Sequence, residues 1–380
     1  MANEARGSAV IIISGQRYDR VSSLTLKRSM EEGTCSGTIV LSWPGTEQFN
    51  APGMVAGAFV DGADGQIILD GQLAGTITLD TRTSKGSPKA YELTLQFRGQ
   101  SSGYVDMSPD HDTGQFNKKS PAQIMQELMK GGKGKLIDQS NFTRPIERFI
   151  IAEGESIERA CRRAAREMGL TFWENPEGNW VLQSANTPSG AVQGELRLGR
   201  NFTNWSVKRD IGPRFGTYGC YGNGIPTDKK YGKACEGLLI PQLVQGTAKG
   251  RNLRVGMDGD HDNETLRVRA QMEASRRSGQ GNNVTLKMST WSDDGGKLWG
   301  ASKIYHLVIP IDDVNEDMKL VEVEFELTAT SRTATLTMMS AGAFGAGGNV
   351  FGGDQVQQSQ QTIPPVPPPQ TPAPPPPSGG

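Results

Sequence analysis

Histidine, cysteine, net charge and long apolar runs are all scarce in this sequence, and each shortage removes a class of protein. The aliphatic runs stop at four residues, Val10-Ile11-Ile12-Ile13, far below the ~20 that a helix needs to cross a bilayer. No membrane span is expected. Met1-Ala2-Asn3-Glu4 opens polar and no signal-type apolar region follows, so the chain is expected to stay in the cytoplasm that makes it. The four cysteines (Cys35, Cys161, Cys220 and Cys235) lie far apart and form no C-x-x-C. Reduced, structural thiols are therefore expected, not disulfides or a zinc site. Forty Lys+Arg against 41 Asp+Glu leave a formal charge of -1, so no global field draws the chain onto nucleic acid. With only His111, His261 and His306, candidates for a general base are few.

Glycine, by contrast, is plentiful: 48 in 380 residues, well above the usual ~7%. Ten of the 22 prolines fall in the last 17 residues, so the proline belongs to a tail and the glycine to the folded part. At ~150 residues per domain the length predicts two or three domains, and a glycine-rich chain with few helical patterns predicts short strands and turns.

From Val10 to about Arg98 the pattern is strand and turn. Val21, Leu24 and Leu26, then Ile39, Leu41 and Trp43, then Ile67 to Leu69, Leu73, Ile77 and Leu79 form partly alternating runs. Tyr91, Leu93, Leu95 and Phe97 alternate with Glu92, Thr94, Gln96 and Arg98, the period-2 signature of a half-buried strand. Pro52-Gly53, Asp61-Gly62, Asp64-Gly65, Asp70-Gly71 and Gly86-Ser87-Pro88 punctuate the runs. Six or seven strands without a helix predict a small barrel or sandwich.

After Gly103 the period changes. Ser120-Pro121-Ala122-Gln123 combines an N-cap Ser, Pro at the first helical position and Gln at the capping-box position. Ile124 and Leu128 share a face, and Gly131 ends the helix. A second helix starts near Ser156 and is expected to bury Ile157, Ala160, Cys161, Ala164 and Met168. Its Arg159, Arg162, Arg163 and Arg166 are expected to face water, with Gly169 as cap. Leu170–Glu174 and Asn179–Leu182 flank the turn Asn175-Pro176-Glu177-Gly178. A second strand region follows with Glu195–Leu198, Trp205–Lys208 and Thr217–Tyr221, interrupted by one helix from about Glu264 to Arg277 closed by Ser278-Gly279. Val284, Leu286, Met288 and Thr290 alternate again. Val321, Val323, Phe325 and Leu327 do so against Glu322, Glu324 and Glu326, and Thr335–Met339 is the last strand. Gly342 to Gly353 reads as a flexible joint, Gln355–Gln361 as a polar spacer and Pro364 to Pro377 as extended polyproline II.

Chemical motifs are present only in fragments. Gly99-Gln100-Ser101-Ser102-Gly103 matches the nucleophile-elbow pattern after a strand, but Tyr104-Val105-Asp106-Met107-Ser108-Pro109 does not read as the helix an elbow requires. Asp258, Asp260, Asp262 and Glu264 alternate in what reads as one loop. An EF-hand would need Gly and Glu where Asn263 and Arg269 stand, so a solvated loop capping the next helix is the plainer reading. Asp293-Asp294-Gly295-Gly296 and Asp312-Asp313 are ordinary turns. Lys130-Gly131-Gly132-Lys133-Gly134-Lys135 lacks the Ser/Thr of a phosphate loop and follows a helix, as a basic helix C-terminus does. No catalytic, cofactor-binding or metal-ligating residue is therefore assigned, no cofactor is expected, and the residues read as a multi-domain β-rich interaction protein.

Several stretches, in order, resemble the baseplate hub proteins of contractile-tailed, Mu-like bacteriophages. They are Gly15-Gln16-Arg17-Tyr18 with Lys27-Arg28-Ser29-Met30-Glu31, then Ser120-Pro121-Ala122-Gln123-Ile124-Met125, then Gly154-Glu155-Ser156 leading to Gly169-Leu170 and Glu177-Gly178-Asn179-Trp180. Asp210, Arg214-Phe215 and Gly222 follow, then Arg269-Ala270 with Glu273-Ala274-Ser275-Arg276-Arg277, and last Trp291 with Gly296-Lys297-Leu298-Trp299. The resemblance spans about 10–340. It departs from the family where Arg20 and Val21 stand near a usual Trp, and in the Gly/Pro tail.

The resemblance implies a mainly β protein with an α+β insertion: two small β-barrel domains flanking an α/β domain, with a Pro-rich C-terminal tail. The corresponding boundaries are 1–102 for the first barrel, 103–190 for the α/β domain, 191–341 for the second barrel with an inserted helix, and 342–380 for the tail. It implies a non-enzymatic structural hub, a homotrimer that joins the sixfold tail tube, or tube-adaptor proteins, to the trimeric central spike and to other baseplate proteins. It also implies part of a DNA conduit without sequence-specific binding, in a virion tail assembled in the host cytoplasm. A near-neutral charge suits a conduit, since a strongly basic bore would hold passing phosphates. Two other readings stay open: a tail-associated cell-wall hydrolase, which would need paired carboxylates or a metal set, and the hub of a phage-like contractile bacteriocin.

Overall fold

The computed structural model describes residues 9–341 apart from 45–58, 88, 185–191, 236–237, 240–243, 247 and 249. The Gly/Pro tail and the Pro52-Gly53 turn lie outside the described residues. The first seven strands are β1 (Ala9–Ile13), β2 (Gln16–Tyr18), β3 (Val21–Ser29), β4 (Ser36–Pro44), β5 (Asp64–Leu69), β6 (Gln72–Ser87) and β7 (Ala90–Gly99). They pair antiparallel throughout, in the order β2-β1-β5-β6-β7-β4-β3. The alternation reads true in β7: Leu93, Leu95 and Phe97 are buried while Glu92 and Gln96 are exposed.

An α/β unit follows: α1 (Ser102–Asp106), β8 (Gln115–Lys119), α2 (Pro121–Leu128), β9 (Leu136–Asp138), β10 (Ile146–Ile150), α3 (Ile157–Glu167), β11 (Leu170–Glu174) and β12 (Trp180–Ser184). The capping box at Ser120 forms as expected, with Gln123 N–H donating to Ser120 Oγ and Ser120 N–H to Gln123 Oε1. Gly178 takes the positive φ of +80° that its turn needs. β12 lies between β11, antiparallel, and β9, parallel. Phe172 and Trp180 pack with the helix faces of Ile124, Leu128, Ala160 and Ala164 into one core.

The rest comprises β13 (Glu195–Arg197), β14 (Asn204–Arg209), β15 (Thr217–Gly224), β16 (Leu238–Leu239), β17 (Val244–Gln245), β18 (Asn252–His261), α4 (Asn263–Gln280), β19 (Asn282–Met288), β20 (Ile304–Ile309), β21 (Val314–Leu327) and β22 (Arg332–Ser340). The segment expected to be strands interrupted by one helix is more organised than that. β15 and β18 run parallel, and Leu266 and Ala270 of α4 pack on Tyr218 and Cys220, so a small α/β layer with its own core sits between β14 and β19. α4 runs through Ser278-Gly279 and stops at Gly281. A methyl group on Gly281 would sit 2.5 Å from the Asp210 carbonyl.

The remaining strands of this part run β20-β21-β22-β19-β14. That repeats the order β5-β6-β7-β4-β3 strand for strand. Even the irregularities agree, for β6 shifts register on β7 between Leu79 and Thr81, and β21 shifts on β22 between Leu320 and Glu322. The two blocks meet along β3 and β21, with Leu24 opposite Leu327 and Ser29 opposite Glu322, so 13 strands form one sheet. Leu26 and Phe97 from one block and Phe325 and Leu336 from the other belong to a single apolar core.

Candidate functional site

Besides the three-residue strands β2 and β13, which pair only with β1 and β20, two strands of this sheet keep an open edge among the described residues. β14 pairs only with β19, and beyond Thr78 β6 pairs only with β7. Both are exposed, and an unpaired strand edge is a template for another chain. The turn after β20 is pinned beside β14: Trp205 Nε1 donates to Asp312 Oδ2 at 2.6 Å and Arg209 Nη2 to the Asp312 carbonyl at 2.7 Å. Two large apolar side chains flank this edge in the open, Ile211 at 67% and Ile311 at 75% exposure. The β6–β7 hairpin carries Arg82, Lys85 and Lys89, and Arg98 clamps its base to Asp80 and Asp106 at 2.5 and 2.7 Å. Hydrogen bonding from Arg98 holds the Asp106 carboxyl below its ordinary range.

The elbow-like serine lies elsewhere, in the joint between the first strand block and the α/β unit. Helix α1 does follow β7, contrary to the sequence expectation, so the strand-turn-helix context exists. Ser101 is nevertheless only 1% exposed. Its hydroxyl lies 2.7 Å from Glu174 Oε1 and 2.8 Å from the Gly33 carbonyl, and the N–H groups of Cys35 and Ser101 donate to the same carboxylate at 2.7 and 3.0 Å. Arg28 donates to the Glu174 carbonyl and Trp180 Nε1 to that of Gly33. No histidine is among these partners. The serine is a hydrogen-bonding strut.

Residues 263–346 match the fourth domain of the Mu phage baseplate assembly protein GpP. Over that segment the chain is similar to a Mu phage baseplate protein. The matched segment opens at the first residue of α4 and takes in β19 to β22. No curated protein matches the sequence. Among solved structures, the 43 kDa tail protein of prophage MuSo2 from Shewanella oneidensis shares the fold over 89% of this chain and 99% of its own, with a TM-score of 0.72 and 20% identity. A tail protein from Neisseria meningitidis MC58 does so over 89% and 97%, again at 0.72 with 15% identity. The E. coli c3393 protein, a type VI secretion component described as similar to the T4 tail proteins gp27 and gp5, is similar over 87% of this chain and 76% of its own, at 0.54 with 9% identity.

The other residues that stand out in the sequence serve packing. Asp258 and Asp260 are on strand β18, not in a loop, which is why they alternate. Asp262 is the N-cap of α4, accepting from Thr265 N–H and Oγ1 at 2.8 Å each, and Arg144 pairs with Asp262 and Glu264. Among the described residues no three His, Cys, Asp or Glu side chains are grouped to hold a metal. In the Lys130–Lys135 stretch, a methyl on Gly132 would meet the Tyr104 ring at 2.3 Å and one on Gly134 the Gly178 carbonyl at 2.6 Å, so these glycines answer to close packing. His261 is buried with Nε2 2.9 Å from the Asp258 carbonyl, and Asp317 raises His306, at 2.8 Å. The four cysteines are free and buried.

One expectation fails on α3. Its apolar face is as read, but Arg162 and Arg163 do not face water; their side chains are only 13% and 23% exposed. Arg162 Nε donates to Glu158 at 2.5 Å and its guanidinium lies over Phe172. Arg163 donates to Glu155 and the Ile150 carbonyl, at 2.7 Å each, and lies over Phe149. Sequence periodicity cannot foresee this, because the covering elements, β10, β11 and α4, come from elsewhere in the chain.

Proposed function

We propose that three copies form the baseplate hub, a ring of six strand blocks that continues a sixfold tail tube on one side and holds the trimeric central spike on the other. The observation that carries this reading is the shared strand order of the two blocks. Within one chain, β21 of the second block pairs with β3 of the first. By strand order the counterparts of β21 and β3 are β6 and β14, the two longer open edges. Joining β6 of one copy to β14 of the next repeats the internal seam. A heterologous contact of this kind closes into a ring when its rotation allows. Three copies of two blocks make six, which matches a sixfold tube while leaving threefold symmetry for a spike.

The internal seam also supplies a register. Glu324 pairs with Thr335 across β22 as Thr83 pairs with Thr94 across β7. Lys27 pairs with Ser36 across β4 as Lys208 pairs with Asn283 across β19. Glu324 stands opposite Lys27 at the seam, so Thr83 is expected opposite Lys208 of the next copy. Closure of each block into a small barrel within that ring, the four-part division at 102, 190 and 341, and a DNA conduit through the centre belong to the same proposal. So do contacts with the tube, the spike and other baseplate proteins, and the absence of catalysis.

The test is a full-length Thr83→Cys/Lys208→Cys protein, oxidised and run on a non-reducing gel beside mass photometry of the unmodified protein. A covalent trimer and a threefold mass are expected. A monomer at high concentration, or a trimer that only the single-cysteine controls cross-link, overturns the ring. Clear muramidase or peptidase activity in the pure protein would favour the hydrolase instead.

A further inference from the structure

A cleft of about 290 Å³ lies between α3, β18 and α4. Five arginines line it: Arg159, Arg162, Arg163 and Arg166 from α3, and Arg269 from α4. Facing them are only two acids, Glu167 and Asp258. The close ion pairs lie to the sides, from Arg162 to Glu158, Arg163 to Glu155 and Arg269 to Glu273, and within the cleft Arg163 Nη1 stands 4.0 Å from Glu167 Oε1, beyond hydrogen-bond reach. They leave Arg162 Nη2, Arg163 Nη1 and Arg269 Nη1 buried without a hydrogen-bond partner, and Glu167 Oε2 likewise, on a side chain 3% exposed. Arg166 has no carboxylate within ion-pair distance among the described residues, and burial together with Arg276, Arg162 and Arg269 pushes it down to about 10. Buried donors without acceptors and cations crowded against cations both cost stability. A protein keeps such an arrangement when something else completes it.

We propose that this cleft is a binding site for a small tetrahedral oxyanion of the phosphate type. A planar carboxylate is satisfied by a single guanidinium fork, whereas a tetrahedral anion accepts from several directions at once. The cleft offers donors from two helices. Burial raises Glu167 to about 8 against the pull of Arg163 and Arg269 and with the push of Asp258 and Glu155, so near neutral pH it stands as a neutral acid whose hydroxyl adds another donor. The site is independent of the proposed ring.

Arg166 is the residue to change, since it takes no part in the ion pairs that hold α3. The full-length protein and its Arg166→Gln variant are titrated with inorganic phosphate at low millimolar concentration, with chloride at matched ionic strength. Melting temperature and isothermal titration calorimetry are the readouts. The low concentration matters because phosphate stabilises many proteins non-specifically when concentrated. Saturable binding with a raised melting temperature in the parent protein is expected. In the variant, affinity should drop at least tenfold while the melting temperature in chloride holds or rises, because a like-charge contact is gone. Equal effects of phosphate and chloride, or phosphate binding unchanged by Arg166→Gln, overturn the site. A short single-stranded oligonucleotide supplies the other source of phosphate groups; if it binds and inorganic phosphate does not, the free-anion site is overturned as well.

Discussion

A methyl group on Gly99 would sit 2.0 Å from Glu174 Oε2, so the smallest side-chain addition in the chain strikes a buried carboxylate. That carboxylate gathers donors from residues 73 and 139 positions away, and its loss would unfasten the first strand block from the α/β unit. Gly99→Ala is therefore expected to cost about 3 kcal/mol or more, as strain at a buried polar node does. Ser101→Ala should cost about 1–3 kcal/mol, the usual penalty for stranding a buried acceptor. Chemical denaturation measures both; a neutral Ser101→Ala would show that the strut is idle. Glu167 gives a pH signature. Its carboxyl rises from 4.5 to about 8 in the fold, so the native state holds a proton that the unfolded chain has released. Its contribution to stability is complete below about 4.5, declines as pH rises and is lost by about 8. Denaturation in chloride buffers from pH 5 to 8.5 should show the parent losing stability relative to Glu167→Gln as pH rises. A flat difference would mean that Glu167 titrates normally.

At the scale of elements, the helices separate what a chain segment specifies alone from what its neighbours impose. Helix α2 is written locally: Ser120, Pro121 and Gln123 cap it within one turn, and Ser120→Ala should cost about 1 kcal/mol in thermal denaturation. Helix α3 is written locally on one face only. Ala160 and Ala164 are fully buried, and Ala160→Arg should cost several kcal/mol by forcing a charge into a packed site. Arg163 looked like a surface residue by periodicity and would then be worth less than about 0.5 kcal/mol. With its guanidinium over Phe149 and charge-assisted bonds to Glu155 and Ile150, Arg163→Ala should instead cost about 1–2 kcal/mol. A melting temperature within a degree of the parent would restore the surface reading.

For the whole molecule, the open edges β6 and β14 make a prediction that stability alone cannot. Thr83 and Lys208 are exposed and are expected to face each other between copies. A Thr83→Glu/Lys208→Glu protein, which sets like charges opposite each other there, should keep a melting temperature near the parent's while losing the trimer in mass photometry. A trimer that survives the double change would place the subunit contact elsewhere.

The sequence by itself determined what neighbouring residues decide between them. The alternation of Leu93, Leu95 and Phe97 makes a half-buried strand because successive side chains point to opposite faces. The caps at Ser120 and Ser156 and the turn at Gly178 satisfy or bend backbone within a few residues. Only the tertiary structure decided that β3 would lie against β21, that β15 and β18 would run parallel beneath α4, and that four arginines of one helix would meet a fifth from another. It also turned Ser101 from a motif match into a strut. Those outcomes depend on pairings across tens to hundreds of residues. Either face of an exposed-looking helix, or either edge of a regular strand, satisfies the local rules equally. What breaks the tie is the burial of apolar area between segments, and no window of sequence contains both partners.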